Sequence, residues 1–145
     1  MSASDKLGLA FVRLHRTVYR LSGGRVLGGL GGTPVIELTT TGAKSGKPRT
    51  TMLTVPLRHN GNRVVVASKG GSPESPAWYH NLVANPMVTV TEKGKTTELH
   101  ARVLTPAERE EIWPKIVAEY KGYGRYQEKT SRTIPVVVLE PLQHP

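Results

Sequence analysis

The sequence contains no cysteine. Thiol catalysis, thiolate metal sites and disulfides are therefore excluded, which fits a reducing compartment without requiring one. It also has no apolar run near the roughly 18–20 residues of a membrane span, and its first residues show no signal-peptide core. The expectation is a soluble, cytoplasmic protein. Aromatic residues are few: one phenylalanine, two tryptophans and five tyrosines. The five histidines are scattered without metal-ligand spacing and no Ser-His-Asp order is readable, so no metal or serine-hydrolase site is expected. At 145 residues the chain can bury a single core without any covalent staple.

Acidic residues are also scarce, 11 against 20 lysines and arginines, for a net charge of +9. The excess is localised. Residues 1–25 hold Lys6, Arg13, Arg16, Arg20 and Arg25 against Asp5, and residues 42–63 hold Lys44, Lys47, Arg49, Arg58 and Arg63 with no acid at all. Elsewhere the charges cancel. Two basic clusters suggest two anionic partners or one large one, against the plainer reading of a solvated surface.

The hydrophobic pattern divides the chain at about residue 33. Leu7, Ala10, Phe11, Leu14, Val18 and Leu21 form one stripe at three- and four-residue spacing, which predicts a helix over 4–22. A Gly-rich connector follows to Gly32. From Thr33 onward strands predominate: Pro34–Thr41, Arg49–His59, Arg63–Lys69, Val88–Glu92, Thr96–Leu104 and Ile134–Glu140. Asn60-Gly61-Asn62 and Lys93-Gly94-Lys95 read as hairpin turns, the first joining Arg49–His59 to Arg63–Lys69. Ser75-Pro76 reads as the cap of a short helix ending at Ala84. Thr105-Pro106-Ala107-Glu108 is a capping box opening a helix over 106–121, with a kink expected at Pro114. Tyr123–Thr130 reads as a further turn or two. Together these predict a mainly β (α+β) fold, a small antiparallel barrel with helices packed outside it.

Three constellations could carry chemistry. Thr39-Thr40-Thr41-Gly42-Ala43-Lys44-Ser45-Gly46-Lys47-Pro48-Arg49 joins two strands with glycines, hydroxyls and three cations, which suits an anion. It is not a triphosphate-binding P-loop: the spacing is one residue short, Pro48 stands where a magnesium-binding hydroxyl is needed, and a strand follows instead of a helix. Trp78, Tyr79, His80 and Asn81 open a helix beside Ser68-Lys69-Gly70-Gly71, a setting for a planar heterocycle or simply a packed aromatic. Tyr120, Tyr123 and Tyr126 repeat at three-residue spacing, so their phenols can share a face.

These residues together resemble the deazaflavin (F420)-dependent nitroreductase family of split β-barrel oxidoreductases. The resemblance rests on Thr39–Gly42, Lys44-Ser45-Gly46 and Pro48-Arg49. It continues through Ala67–Gly71, Trp78-Tyr79, Asn81-Leu82, Ala84-Asn85-Pro86 and Arg132–Val137. The matches fall in order over about residues 33–141, with residues 1–32 similar only as a helical extension. The resemblance implies a split barrel of the flavin-reductase and pyridoxamine-oxidase kind in residues 33–145. It also implies coenzyme F420, a deazaflavin with a phosphate and oligoglutamate tail. By the same resemblance, Lys44, Ser45, Lys47 and Arg49 would hold the tail. Thr50, Thr51, Met52, Leu53, Thr54, Val66, Ala67, Ser68 and Lys69 would line the ring, with Ala77, Trp78, Tyr79, His80 and Asn81 on its other side. Tyr120, Tyr123 and Tyr126 would stand over the acceptor as catalytic residues. Thr54 departs from relatives with an aromatic there, and Ala43 from those with a basic residue.

The function so implied is hydride transfer from reduced F420 to a planar electron-poor acceptor, a quinone or a nitroaromatic. Two alternatives stay open at this point: an FMN-dependent enzyme on the same barrel, and a deazaflavin-binding protein without turnover. Nucleic acid is a poor fit despite the basic charge, because the tyrosines follow a helix instead of lining a strand face. The N-terminal stripe with its arginines admits two readings, a peripheral contact with the inner face of an anionic membrane or a helix packed on its own barrel. Self-association is a further open partner.

Overall fold

A computed structural model describes residues 34–142. The helix expected over 4–22, the glycine connector and the domain boundary at residue 32 lie outside them. Seven strands are described: β1 (Val35–Thr41), β2 (Pro48–Thr54), β3 (Leu57–His59), β4 (Asn62–Val66), β5 (Met87–Glu92), β6 (Lys95–Val103) and β7 (Val136–Pro141). The α-helices described are α1 (Ala77–Ala84), α2 (Pro106–Glu119) and α3 (Gly122–Glu128).

The strands form one antiparallel sheet in the order β2-β1-β5-β6-β7-β4-β3. Its two edges, β2 and β3, are consecutive in the chain and joined only by the buried pair Val55-Pro56. Two residues reach no more than about 3.3–3.6 Å each. The sheet therefore curls until its edges approach at that corner, giving the split barrel.

The same corner corrects the strand expected over Arg49–His59. It is two strands: β2 pairs with β1, Thr54 opposite Val35, and only Leu57–His59 pairs with β4. Pro56 has no N–H for a ladder, and Val55 instead donates its N–H to Pro34 O at 2.8 Å. The tight turns do sit where expected. Asn60 and Gly61 have φ of 53° and 81°, and Lys93 and Gly94 have 51° and 79°, the left-handed pairs that two-residue hairpins need.

The unbroken apolar run of β7 follows from burial on both faces. Val137 and Leu139 join Ile36, Leu38, Val88, Val90 and Leu99 inside the curl, where Trp78 and Leu82 of α1 close the mouth. Val136 and Val138 face outward under Ile112 and Ile116 of α2 and Tyr123 of α3. Each such side chain, fully buried, contributes roughly 1.5–3 kcal/mol.

The helix starts are less uniform than the sequence suggests. Thr105 and Glu108 form the reciprocal capping box: Thr105 Oγ1 accepts from Glu108 N at 3.3 Å and Glu108 Oε1 accepts from Thr105 N at 2.9 Å. The helix is unbroken through Pro114. At α1, however, Pro76 occupies the cap position and Ser75 does not cap. The Ser75 hydroxyl accepts a bond from Arg132 Nη1 at 3.1 Å instead.

Candidate active site

A cavity of about 290 Å³ opens between the second strand, the loop after β4, the first turn of α1 and the α2–α3 junction. Met52, Leu53 and Thr54 of β2 form one side, with Val66, Ser68 and Lys69 on the next. Trp78 closes the base and Tyr120, Tyr123 and Tyr126 form the far wall. Ten residues chosen from sequence thus converge on one space. Gly70 and Pro76 line it too.

The tyrosine wall is tightly built. The Tyr120 and Tyr123 rings lie 5.4 Å apart, and those of Tyr123 and Tyr126 lie 6.0 Å apart edge to face. Tyr120 is 45 % exposed, whereas Tyr123 is 8 % exposed. Burial, with the neighbouring Tyr120 and Tyr126 phenols adding to it, pushes the Tyr123 hydroxyl up to about 12. Tyr123 is therefore a neutral hydrogen-bond donor at any physiological pH.

The loop wall is strained. Lys69, Gly70 and Gly71 take φ of 45°, 64° and 84° in succession, and a lysine in the left-handed region is uncommon. A Cβ on Gly71 would stand 2.6 Å from Tyr126 O, so only glycine lets this loop reach α3. Gly71 N donates to Ser68 O at 2.9 Å and Ser72 N to Lys69 O at 3.1 Å. Among the described residues no acceptor meets the backbone N–H groups of Ser68, Lys69 or Gly70, and Ser68 is buried. Three donors at a cavity wall are a ready cradle for carbonyl or anionic oxygens.

The basic loop lies apart from this cavity. Gly42 N donates to Lys47 O at 2.8 Å and Gly46 N to Gly42 O at 2.9 Å, closing a compact turn on which Lys44, Ser45, Lys47 and Arg49 are exposed. Among the described residues no carboxylate pairs with these three cations. Asn81 of α1 fixes the turn: Oδ1 accepts from Ala43 N at 2.9 Å and Nδ2 donates to Thr40 Oγ1 at 3.1 Å.

The other chosen residues serve other surroundings. Thr50 Oγ1 is shared with Thr39 Oγ1 at 2.9 Å, Thr51 is half-buried on β2, and Ala67 is fully buried. Tyr79 packs on the inner core, while Ala77 and His80 are exposed on α1, the His80 ring edge-on to Tyr79. Arg132 is the residue that sequence reasoning misses; it stands there only inside a motif, yet its guanidinium makes five bonds behind the cavity wall. No group of His, Asp or Glu among the described residues is arranged to hold a metal.

A family model described as F420H2-dependent quinone reductase matches residues 11–141. The chain belongs to that family. An F420H2-dependent quinone reductase of Mycobacterium tuberculosis is 44 % identical over 138 residues, covering 92 % of this chain and 91 % of the relative. Among solved structures, an F420-H2 dependent reductase is 46 % identical with a TM-score of 0.65, covering 74 % of this chain and 94 % of that one. A structure described as a domain-swapped dimer is 38 % identical with a TM-score of 0.69, covering 96 % of this chain and all of that one. The family is F420H2-dependent, so this chain is an F420-dependent oxidoreductase and the FMN alternative is without support. Among the described residues no helix is long and apolar enough to cross a membrane.

Proposed function

We propose that this reductase passes a hydride from F420H2 to a quinone held under Tyr120, Tyr123 and Tyr126. The observation that carries the reading is the single cavity joining those phenols to Thr54, Ser68, Lys69 and Trp78. The residues present suit the cofactor. Cations on the Lys44–Arg49 turn that meet no carboxylate among the described residues match a phosphate and carboxylate tail, and N–H groups at Ser68–Gly70 that meet no described acceptor match the carbonyl edge of a flat ring. Lys44, Ser45, Lys47 and Arg49 would hold the tail. Met52–Thr54, Val66, Ser68 and Lys69 would border the ring with Trp78 against it, while Thr50, Thr51, Ala67 and the rest of Ala77–Asn81 would support those walls from outside the cavity. When bound in its reduced form the group supplies a hydride, and the carbon in place of a flavin nitrogen disfavours one-electron steps.

The chain's own residues then hold the acceptor, exclude water and manage one proton. A quinone that takes up a hydride becomes a hydroquinone monoanion, and one proton completes it. Tyr123 Oη, a neutral phenol, would donate a hydrogen bond to the oxygen where charge develops. Tyr120 is open to solvent and adjacent to Tyr123, so it connects that oxygen to bulk protons. Tyr126 stands edge-on and closes the side of the slot.

The test is anaerobic oxidation of F420H2 on adding a naphthoquinone, followed by recovery of F420 absorbance. Stoichiometric oxidation supports the reading. Tight F420H2 binding without oxidation by any quinone would replace it with a binding protein. We extend the reading to residues 1–25, whose charge of +4 and apolar stripe suit an anionic membrane from which a lipid-soluble quinone is drawn. Sedimentation with anionic vesicles that is lost on deleting residues 1–25 would support it, and no sedimentation of the intact chain would end it. Residues 33–145 are the cofactor unit in this scheme. Self-association is also part of it, supported by the relative described as a domain-swapped dimer.

A further inference from the structure

Two walls of the cavity, the Ser68–Gly70 loop and the tyrosine helix α3, belong to segments far apart in sequence, and one residue bonds to both. Arg132 Nε donates to Ser72 O at 2.9 Å, and Nη1 donates to Ser75 Oγ at 3.1 Å. Nη2 reaches Ala67 O at 3.2 Å, Ser68 O at 3.0 Å and Glu74 O at 3.2 Å. The backbone carbonyl of the same residue accepts from Gln127 Nε2 of α3 at 2.7 Å. Gln127 is itself fixed, because its Oε1 accepts from Ile134 N at 2.9 Å and from Arg109 Nη2 at 3.0 Å. The loop side thus hangs from the guanidinium and the tyrosine side from the carbonyl.

We propose that Arg132 is the positioning residue that sets the separation of the two cavity walls, and with it the alignment of donor ring and quinone. The proposal rests on the reading of the cavity as the hydride-transfer site. Every acceptor on the guanidinium among the described residues is a neutral oxygen, so its role is geometric: a planar fork of five donors collects four carbonyls and a hydroxyl from one nine-residue loop. Without it, the hydrogen bonds that hold the left-handed run Lys69-Gly70-Gly71 among the described residues are its own two turn bonds, beside its packing on α3. A lysine keeps the charge, but its compact ammonium cannot reach Ser72, Ser75 and Ala67 together.

Arg132→Lys tests this beside Arg102→Lys, which removes an arginine fork from the Glu108 and Glu140 carboxylates outside the cavity. Single-turnover hydride transfer at saturating F420H2 and quinone should fall by about 10²-fold in Arg132→Lys, since displacement of about 1 Å can cost that much. Arg102→Lys should keep the parent rate while losing melting temperature. A parent-like rate in Arg132→Lys, or the same loss in both variants, overturns the proposal. Amide hydrogen exchange tests the same point even if the parent reduces no quinone. Arg132→Lys should speed exchange at least about tenfold over 67–75, which loses the guanidinium, and less over 122–128, which keeps the bond to the backbone carbonyl. No acceleration over 67–75, or equal acceleration throughout the protein, overturns it.

Discussion

The side-chain oxygen of Asn81 accepts the backbone N–H of Ala43 at 2.9 Å, tying the exposed cationic turn to the helix that carries Trp78. The amide nitrogen is spent on Thr40, so under the proposed cofactor site Asn81 would act through the turn it holds. Asn81→Ala leaves a donor and an acceptor unmet near a buried position, at a cost of about 1–3 kcal/mol. F420 affinity should fall about tenfold and become less sensitive to Lys44→Ala. Isothermal titration of the single and double variants checks it; independent, additive losses would count against the tie.

The approach of Gly71 to α3 gives a second expectation. Gly71→Ala meets both a left-handed φ of 84° and a contact of 2.6 Å to Tyr126 O. Backbone strain of this kind costs about 1–3 kcal/mol. The melting temperature should drop by several degrees, and quinone turnover should fall further than the melting temperature alone explains. Gly61, also at positive φ but with no described residue near its Cβ, makes the comparison: Gly61→Ala should lose stability and retain turnover.

Local chemistry is legible in the sequence and distant chemistry is not. The hairpin turns at Asn60-Gly61 and Lys93-Gly94 and the capping box at Thr105 need no partner elsewhere in the chain, so they read directly. The strand break at Val55-Pro56 does not, because the apolar pattern continues across it and only the return of the sheet edge reveals the corner. Ser75 followed by proline resembles a cap, but a distant arginine claims its hydroxyl. The tyrosines and Ser68-Lys69 stand out because their types are rare or their motif familiar. Arg132 does not, since five bonds to a loop some 60 residues earlier leave no local pattern.

Tyr123 gives an alkaline signature. Its folded value of about 12 lies above its ordinary 10.0. The stability contributed by burying the neutral phenol is thus complete below pH 10 and is lost as pH rises toward 12. Tyr123→Phe should flatten that part of the stability profile. It should also lower kcat/KM for quinone by about 10²-fold, the effect of losing one oriented donor, with F420 affinity unchanged. Loss of cofactor affinity with intact turnover would contradict the role assigned to Oη.

An acid signature belongs to Glu108. Its carboxyl is held down at about 2, first by bonds from Arg102 and then by the Thr105 N–H. The sign is opposite to that of Tyr123: the contribution is present above the ordinary value of 4.5 and is lost as pH falls toward 2. The pair is partly solvated, so screening keeps the effect modest. Glu108→Gln should reduce the acid slope of the melting temperature between those limits while leaving quinone reduction at neutral pH unchanged.

Use of F420 through the cationic turn is tested by a fluorescence titration of the purified protein with oxidised F420 and, separately, with FMN at fixed salt. Selective F420 binding in the micromolar range or tighter should be seen, weakened at least tenfold by Lys44→Ala or Arg49→Ala. Equal or preferential FMN binding, or F420 binding indifferent to both substitutions, would contradict the cofactor site described above.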